Sequence, residues 1–151
     1  MAIVPTPAAG IAAASDAAPE PVKYKFVAEF PINASARLLF PYLSTAGSLA
    51  QWFCDDVKLT PDHLFNFIWD GESHFASVAN LRLNRSIRFV FLSPQRQPLP
   101  DAGYLDFTLE TSEFTQEQYL RVTDYSTEHD KVELQEIWEG LVQTLREQVG
   151  G

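Results

Sequence analysis

The chain has little of the chemistry that usually marks a catalytic or metal centre. It contains one cysteine, Cys54, which excludes an internal disulfide framework and a zinc site built from several cysteines. Its three histidines, His63, His74 and His129, stand in separate segments without HxH or HExxH spacing. No GxSxG, P-loop or dinucleotide-binding glycine pattern occurs. The sequence therefore predicts no metal, no cofactor and no assigned catalytic residue.

Long hydrophobic runs are also missing. No stretch of about 18 apolar residues occurs, so no membrane span is predicted. The first 21 residues are rich in Ala and Pro, and no Lys or Arg precedes Lys23, which favours a plain disordered tail over an export signal. We expect a disordered tail over residues 1–21, a folded domain over residues 22–151 and a cytoplasmic location.

Basic residues are scarce in the last third of the chain. Residues 1–100 carry eight acidic and eight basic side chains, whereas residues 101–151 carry twelve acidic and three basic ones. The last third therefore supplies the whole net charge of −9. A nucleic-acid backbone would be repelled by this surface, so nucleic acid is not an expected partner. The acidic part either keeps the protein soluble or forms a docking face for a basic protein.

Aromatic residues, by contrast, are abundant and regularly placed. They make up 13% of the chain, and because each Phe or Trp buries about 150–250 Å², few are needed to fill a small core. Seven segments are predicted as strands: 23–30, 57–60, 64–69, 75–83, 87–91, 104–112 and 119–125. Alternation with period two, which is typical of half-buried strands, marks most of them. Short turns such as Asp70-Gly71 join most of them, which implies antiparallel pairing.

Two short helices are predicted after the first strand. The first runs over residues 35–43, with Ser35 as its N-cap, and Pro41 should kink or shorten it. The second is a short helical turn over residues 48–53, with Ser48 as its cap.

The clearest element is a long helix at the carboxy terminus. Thr127 and Asp130 resemble a capping box, and Gly150-Gly151 ends the helix. Its apolar stripe falls at helical spacing on Leu134, Ile137, Trp138, Leu141, Leu145 and Val149. About 22 residues give a rod of ~33 Å. The order of elements predicts an α+β helix-grip fold, in which a curved antiparallel sheet of about six or seven strands wraps around this helix.

Four motifs stand out in this order of elements: Phe30–Ser35, Leu49–Phe53 followed by Asp55–Val57, Phe67–Gly71 and the last helix with Trp138. Together with the order of elements they resemble the START-like (SRPBCC) superfamily, in particular its AHSA-like branch, which is related to activators of heat-shock chaperone ATPases. The resemblance covers about residues 22–149. It implies a cavity between sheet and helix that in many members holds a lipid, sterol, polyketide or other apolar ligand. Members with cyclase or hydratase activity place polar groups in that cavity, whereas the inward positions here look almost wholly apolar.

Eight residues are expected to surround one space and are the predicted ligand-binding set: Trp52, Phe67, Trp69, Phe89, Phe91, Phe107, Trp138 and Leu141. As a filled core they would need no further explanation. Alternatively, a straight helix and a curved sheet leave a gap of about 300 Å³ or more at one end, which is the usual form of a small-molecule site.

Two other groups of residues have a functional and a plain interpretation. Cys54 stands beside Asp55 and Asp56, whose charges disfavour the thiolate, so a poor nucleophile is expected. The same aspartates could approach Asp62 and His63 around a turn, but solvated turn residues are favoured over a metal group.

Basic residues gather around one predicted hairpin. Arg82, Arg85 and Arg88, with Lys58 nearby, are expected either to bind an anion or acidic partner or to form a solvated rim, and the rim is favoured.

Three functions follow in order of preference. The first is binding of a small apolar ligand. The second is a chaperone-linked protein interaction module that uses the acidic face of Glu133, Glu136 and Glu139. The third is a cyclase- or hydratase-type enzyme, for which His74 and Asn66 are the two inward polar candidates. A non-enzymatic role is favoured.

Overall fold

The computed structural model describes residues 22–151, so the predicted tail over residues 1–21 lies outside the described residues. Within the described part, seven strands and three helices follow one another in this order: β1 (Tyr24–Ile32), α1 (Ala36–Ser44), α2 (Ala46–Leu49), β2 (Asp56–Leu59), β3 (Phe65–Trp69), β4 (Glu72–Arg82), β5 (Ser86–Phe91), β6 (Tyr104–Thr111), β7 (Gln118–Ser126) and α3 (Lys131–Val149).

The strands form one antiparallel sheet in the order β1-β7-β6-β5-β4-β3-β2. From β2 to β7, strands that are neighbours in the sheet also follow one another in the chain and are joined by hairpins or loops. Strand β1 differs, since it lies at the edge of the sheet and pairs with β7, with Phe30 opposite Leu120. Because the sheet curves around the last helix, the predicted helix-grip architecture is confirmed.

The inner face of the sheet is built by strict alternation. In β3, Phe65, Phe67 and Trp69 are buried, while Asn66 and Ile68 are only half-buried. Since side chains on a strand point to opposite faces in turn, every second residue of β3 faces helix α3 and the core. The same pattern holds in β5, β6 and β7. This face and the apolar stripe of α3 form one hydrophobic core.

Helix α3 ends as predicted but begins later than predicted. Gly150 takes a left-handed conformation (φ 78°) and its N–H donates to the Arg146 carbonyl, a conformation that glycine adopts without steric cost. The N-cap is Asp130, whose side chain accepts a hydrogen bond from the Glu133 N–H at 3.1 Å. The predicted start at Thr127 is wrong because residues 127–130 are not helical and Asp130 supplies the cap immediately before Lys131.

The first short helix is close to its prediction and the second is not. Ser35 caps α1 by accepting from the Leu38 N–H at 3.2 Å, and Pro41 lies inside the helix without ending it. Helix α2 begins at Ala46 rather than after Ser48, so the predicted Ser48 cap is wrong. The Thr45 hydroxyl donates to the Pro41 carbonyl at 2.7 Å. Thr45 therefore closes α1 and gives α2 no side-chain cap.

Candidate functional site

The eight residues of the predicted ligand-binding set lie together in the core. None is more than 4% exposed. The ring centroids of Phe67 and Phe89 are 5.1 Å apart, those of Phe89 and Phe107 are 6.4 Å apart, and those of Phe107 and Trp138 are 6.0 Å apart. We call these eight residues, together with Phe53, the aromatic cluster. Their role in ligand binding stays a prediction.

Phe53 is the central ring of the aromatic cluster, and sequence reasoning did not include it. It is fully buried and lies 5.3 Å from Trp69 and 5.7 Å from Trp138, measured between ring centroids. Trp52 and Phe53 are adjacent and both buried because residues 51–53 form a turn rather than a helix, so helical periodicity does not apply to them. The adjacent aromatic residues Trp52 and Phe53 were the available signal.

The three tryptophans differ in what their indole N–H groups bind. Trp52 Nε1 donates to the Tyr42 carbonyl at 2.8 Å, and Trp138 Nε1 donates to Asp124 Oδ2 at 3.3 Å. Trp69 Nε1 is buried and has no hydrogen-bond acceptor among residues 22–151. One indole donor is therefore left unused inside the aromatic cluster.

His74 faces the same interior from β4. It lies opposite Phe67 in the β3–β4 register, and its ring centroid is 5.2 Å from that of Trp69. His74 Nδ1 lies 3.2 Å from the Phe67 carbonyl oxygen, and since a carbonyl only accepts, Nδ1 carries the proton. Burial lowers the pKa of His74, because a charged imidazolium would lose its hydration. His74 is thus a neutral, buried polar group.

The second inward polar candidate, Asn66, lies on the outer face. Its side-chain amide donates to Ser73 Oγ at 3.0 Å, and its Oδ1 accepts from the His74 backbone N–H at the same distance. The prediction that Asn66 points inward is therefore wrong. The reason is the alternation of β3, in which Phe65 and Phe67 occupy the inner positions on either side of it.

The described interior also contains a few buried polar residues. Besides His74, the buried polar residues of the described chain are Ser93, Asp124 and Ser126. Asp124 follows Leu120 and Val122 at period two on β7, so alternation alone places it on the inner face. These residues are exceptions in an interior that is otherwise apolar, and those on strands are buried because a strand places every second residue inside whatever its polarity.

A small cleft opens beside the Trp69 end of the aromatic cluster. It has a volume of about 170 Å³, less than the expected 300 Å³. It is bounded by the segment after α2, by the end of β3 and by α3, through Ala50, Gln51, Trp52, Phe53, Cys54, Asp55, Trp69 and Thr144. Three of these residues, Trp52, Phe53 and Trp69, also belong to the aromatic cluster. The cleft therefore connects the protein surface with the aromatic core.

A larger open depression of about 520 Å³ lies elsewhere, between residues 31–35, the β6–β7 turn and the last residue, Gly151. No member of the aromatic cluster lines it. We base the candidate site on the smaller cleft because buried aromatic side chains reach it.

Cys54 lines the cleft but is a poor nucleophile. Burial, and to a smaller extent the charges of Asp55 and Asp56, raise the pKa of its thiol to about 12. The thiol donates to the Asp56 carbonyl at 3.2 Å, and Asp55 Oδ2 accepts from the Asp70 N–H at 2.8 Å. In the part of the chain that the structure describes, no three acidic, histidine or cysteine side chains are placed to hold a metal ion.

The predicted arginine group is divided between two places. Arg88 donates to Asp106 at 3.0 Å and lies over the Tyr104 ring at 4.1 Å on the outer face of the sheet. Arg82 and Arg85 stay at the β4–β5 hairpin, next to the exposed Leu83. The three arginines therefore do not form one anion site.

None of the helices within residues 22–151 is long and apolar enough to cross a bilayer.

Comparisons with known proteins agree with this architecture. A model of the START-like superfamily domain matches residues 21–151, whereas no curated protein matches the chain. A solved Aha1 dimer from Colwellia psychrerythraea is 18% identical, with a TM-score of 0.64 over 83% of this chain and 96% of that one. A Bacteroides fragilis protein is 30% identical, with a TM-score of 0.54 over 84% and 91% of the two chains. A protein of the dynemicin biosynthetic locus is 16% identical, with a TM-score of 0.63 over 83% of this chain and 47% of that one.

Proposed function

The chain belongs to the START-like superfamily, and we propose that it binds a small apolar molecule in the cleft beside Trp69. The observation that carries the proposal is that Trp52, Phe53 and Trp69 line the cleft and also pack in the aromatic cluster. A ligand in the cleft would therefore lie against the edge of the aromatic cluster, and a lining of aromatic side chains is typical of small-molecule sites.

The size of the cleft limits the ligand and its affinity. A volume near 170 Å³ suits a molecule of one or two aromatic rings, since a dry cavity of about 150 Å³ accepts benzene. Burying about 200 Å² of apolar ligand surface contributes about 5 kcal/mol to the free energy of binding. A binding free energy of this size corresponds to a dissociation constant in the millimolar to submillimolar range. Larger ligands would require the segment after α2 to move.

The proposal can be tested by filling the cleft. Thr144 lines it from α3 and is half-buried, so Thr144→Trp should occupy the space without removing a cluster residue. Gln143→Trp places the same ring on the exposed side of the same helix and is the matched control. In ¹H–¹⁵N NMR titrations with naphthalene, we expect saturable shifts at residues 50–55 in the wild type and in Gln143→Trp, and none in Thr144→Trp.

Two results would count against this function. The first is the absence of saturable shifts in the wild type, and the second is unchanged naphthalene binding in Thr144→Trp. Native mass spectrometry of protein purified from its own host provides independent evidence, because a bound small molecule should add a discrete mass to part of the population.

A second candidate function is a protein interaction module that uses the outer face of α3. Glu133, Glu136 and Glu139 are exposed there, and among the described residues none of them forms an ion pair. Unpaired charges of one sign favour a basic partner, and the fold likeness to Aha1 suggests a chaperone-linked one. Salt-sensitive capture of a basic partner should be lost when the three glutamates are replaced by Lys. Capture that persists unchanged would exclude this face.

A further inference from the structure

The two edges of the sheet are protected to different degrees. Strand β2 forms one edge and has four residues, whereas β1 forms the other edge and has nine. A sheet edge presents backbone N–H and C=O groups without partners, and natural proteins shorten, cover or charge their edges because a long free edge pairs with other chains. Strand β1 is therefore the edge that is suited to pairing with another chain.

The backbone of β1 shows which of its residues face away from the sheet. Pro31 has no N–H, and its carbonyl accepts a hydrogen bond from the Arg146 guanidinium at 2.8 Å, so Pro31 faces away from β7. Because backbone groups alternate between the two sides of a strand, Lys25, Val27 and Glu29 face the same way. In the described chain β1 pairs with β7 alone, and the outward backbone groups of these three residues have no hydrogen-bond partner.

The charges along this edge are complementary to themselves. We propose that β1 pairs with β1 of a second copy of the chain, antiparallel about a two-fold axis at Val27, so that the two sheets join. This register places Lys25 of each copy opposite Glu29 of the other. Opposite charges directly across an antiparallel pair stabilise it. A register centred on Lys25 or on Glu29 would instead place two like charges opposite each other.

The apolar and hydrogen-bonding groups of the edge fit the same register. Val27 is 50% exposed, and the two-fold axis brings its side chain against that of the second copy. Since all three outward residues would form hydrogen-bonded pairs, the contact contains about six backbone hydrogen bonds. Pro31 ends the ladder, because it lacks an N–H and its carbonyl is bonded to Arg146. A contact of this size is small, so we expect a reversible dimer.

The β1 edge is distinct from the proposed ligand cleft. None of its three outward residues lines the cleft. In the sheet, β7, β6, β5 and β4 lie between β1 and β3, the strand that ends at Trp69. This inference therefore goes beyond the proposed function and does not depend on it.

Charge reversal tests the register. Lys25→Glu places like charges at both symmetric contacts and should weaken dimerisation of the full chain by about tenfold or more, as measured by analytical ultracentrifugation. Glu29→Lys should weaken it likewise. The double variant Lys25→Glu/Glu29→Lys should dimerise again, because the charges are exchanged and remain complementary. The matched control is Lys58→Glu, the same change at an exposed position of the other edge strand, which should dimerise as the wild type does.

The double variant also separates two roles of Glu29, which pairs with Arg121 of its own chain at 3.2 Å. Recovery of the dimer without that pair would support the register. A wild type that stays monomeric at millimolar concentration would overturn the inference, and so would a dimer that neither single reversal weakens. Circular dichroism verifies the fold of each variant. If a variant proves unstable, amide shifts of the wild type decide the matter, because they should depend on concentration at residues 25–29, and their constancy would overturn the inference.

Discussion

The two ends of the aromatic cluster use the same side chain in opposite ways. At one end Trp138 is fully buried, stacks on Phe53 and gives its N–H to Asp124. At the other end Trp69 borders the cleft and gives its N–H to no described residue. Because Phe53 touches both indoles, the two ends share one packing arrangement. The Trp138 end thus contributes to the stability of the fold, whereas the Trp69 end is where we propose that a ligand binds.

The largest effect is expected from removing Trp138, which lies at the end of the aromatic cluster that we call the closed end. Trp138→Ala deletes a fully buried indole between the sheet and α3 and leaves a cavity, so the free energy of unfolding should fall by about 3–5 kcal/mol. Val132→Ala on the same helix removes an exposed side chain and should change it by no more than about 0.5 kcal/mol. Urea unfolding followed by circular dichroism measures both. A loss below about 1 kcal/mol for Trp138→Ala would contradict the structural role of this end.

A smaller effect is expected from the carboxylate that binds the Trp138 indole. Asp124→Ala leaves the buried N–H without this acceptor, at a cost of about 1–3 kcal/mol. Asp124→Asn keeps an oxygen at the same position and should lose less stability than Asp124→Ala. Equal losses in the two variants would show that the hydrogen bond to Trp138 does not contribute to stability, and that the closed end is held by packing alone.

The fold was readable from the sequence because period-two and helical patterns report which side of an element is buried. The stripe from Leu134 to Leu145 and the alternating Phe65, Phe67 and Trp69 were enough to place α3 against the sheet. Phe53 was missed because it lies in a turn, where neither period applies.

The difference between the two ends could not be predicted in the same way. Whether an indole is bonded depends on which polar atom lies within about 3 Å of it, and that atom comes from elsewhere in the chain. Asp124 is fourteen residues from Trp138 in sequence. Sequence patterns place both side chains inside the protein but do not pair them.

The smallest effect should come from His74 at the Trp69 end, and it should appear only in acid. Burial lowers the pKa of His74 below the ordinary value of 6.5, so the unfolded chain takes up a proton at a higher pH than the folded protein does. The contribution of His74 to stability is therefore complete above the unfolded pKa and is lost as the pH falls through the folded one. In urea titrations between about pH 8 and pH 5, around the ordinary histidine pKa, the wild type should lose stability on acidification more steeply than His74→Asn. His129→Gln, which removes an exposed histidine, is the matched control and should behave as the wild type does. Parallel curves of stability against pH for the wild type and His74→Asn would mean that the Trp69 end already admits enough water to hydrate the imidazolium. The contrast between the Trp69 end and the Trp138 end would then rest on the hydrogen bonding of their indoles alone.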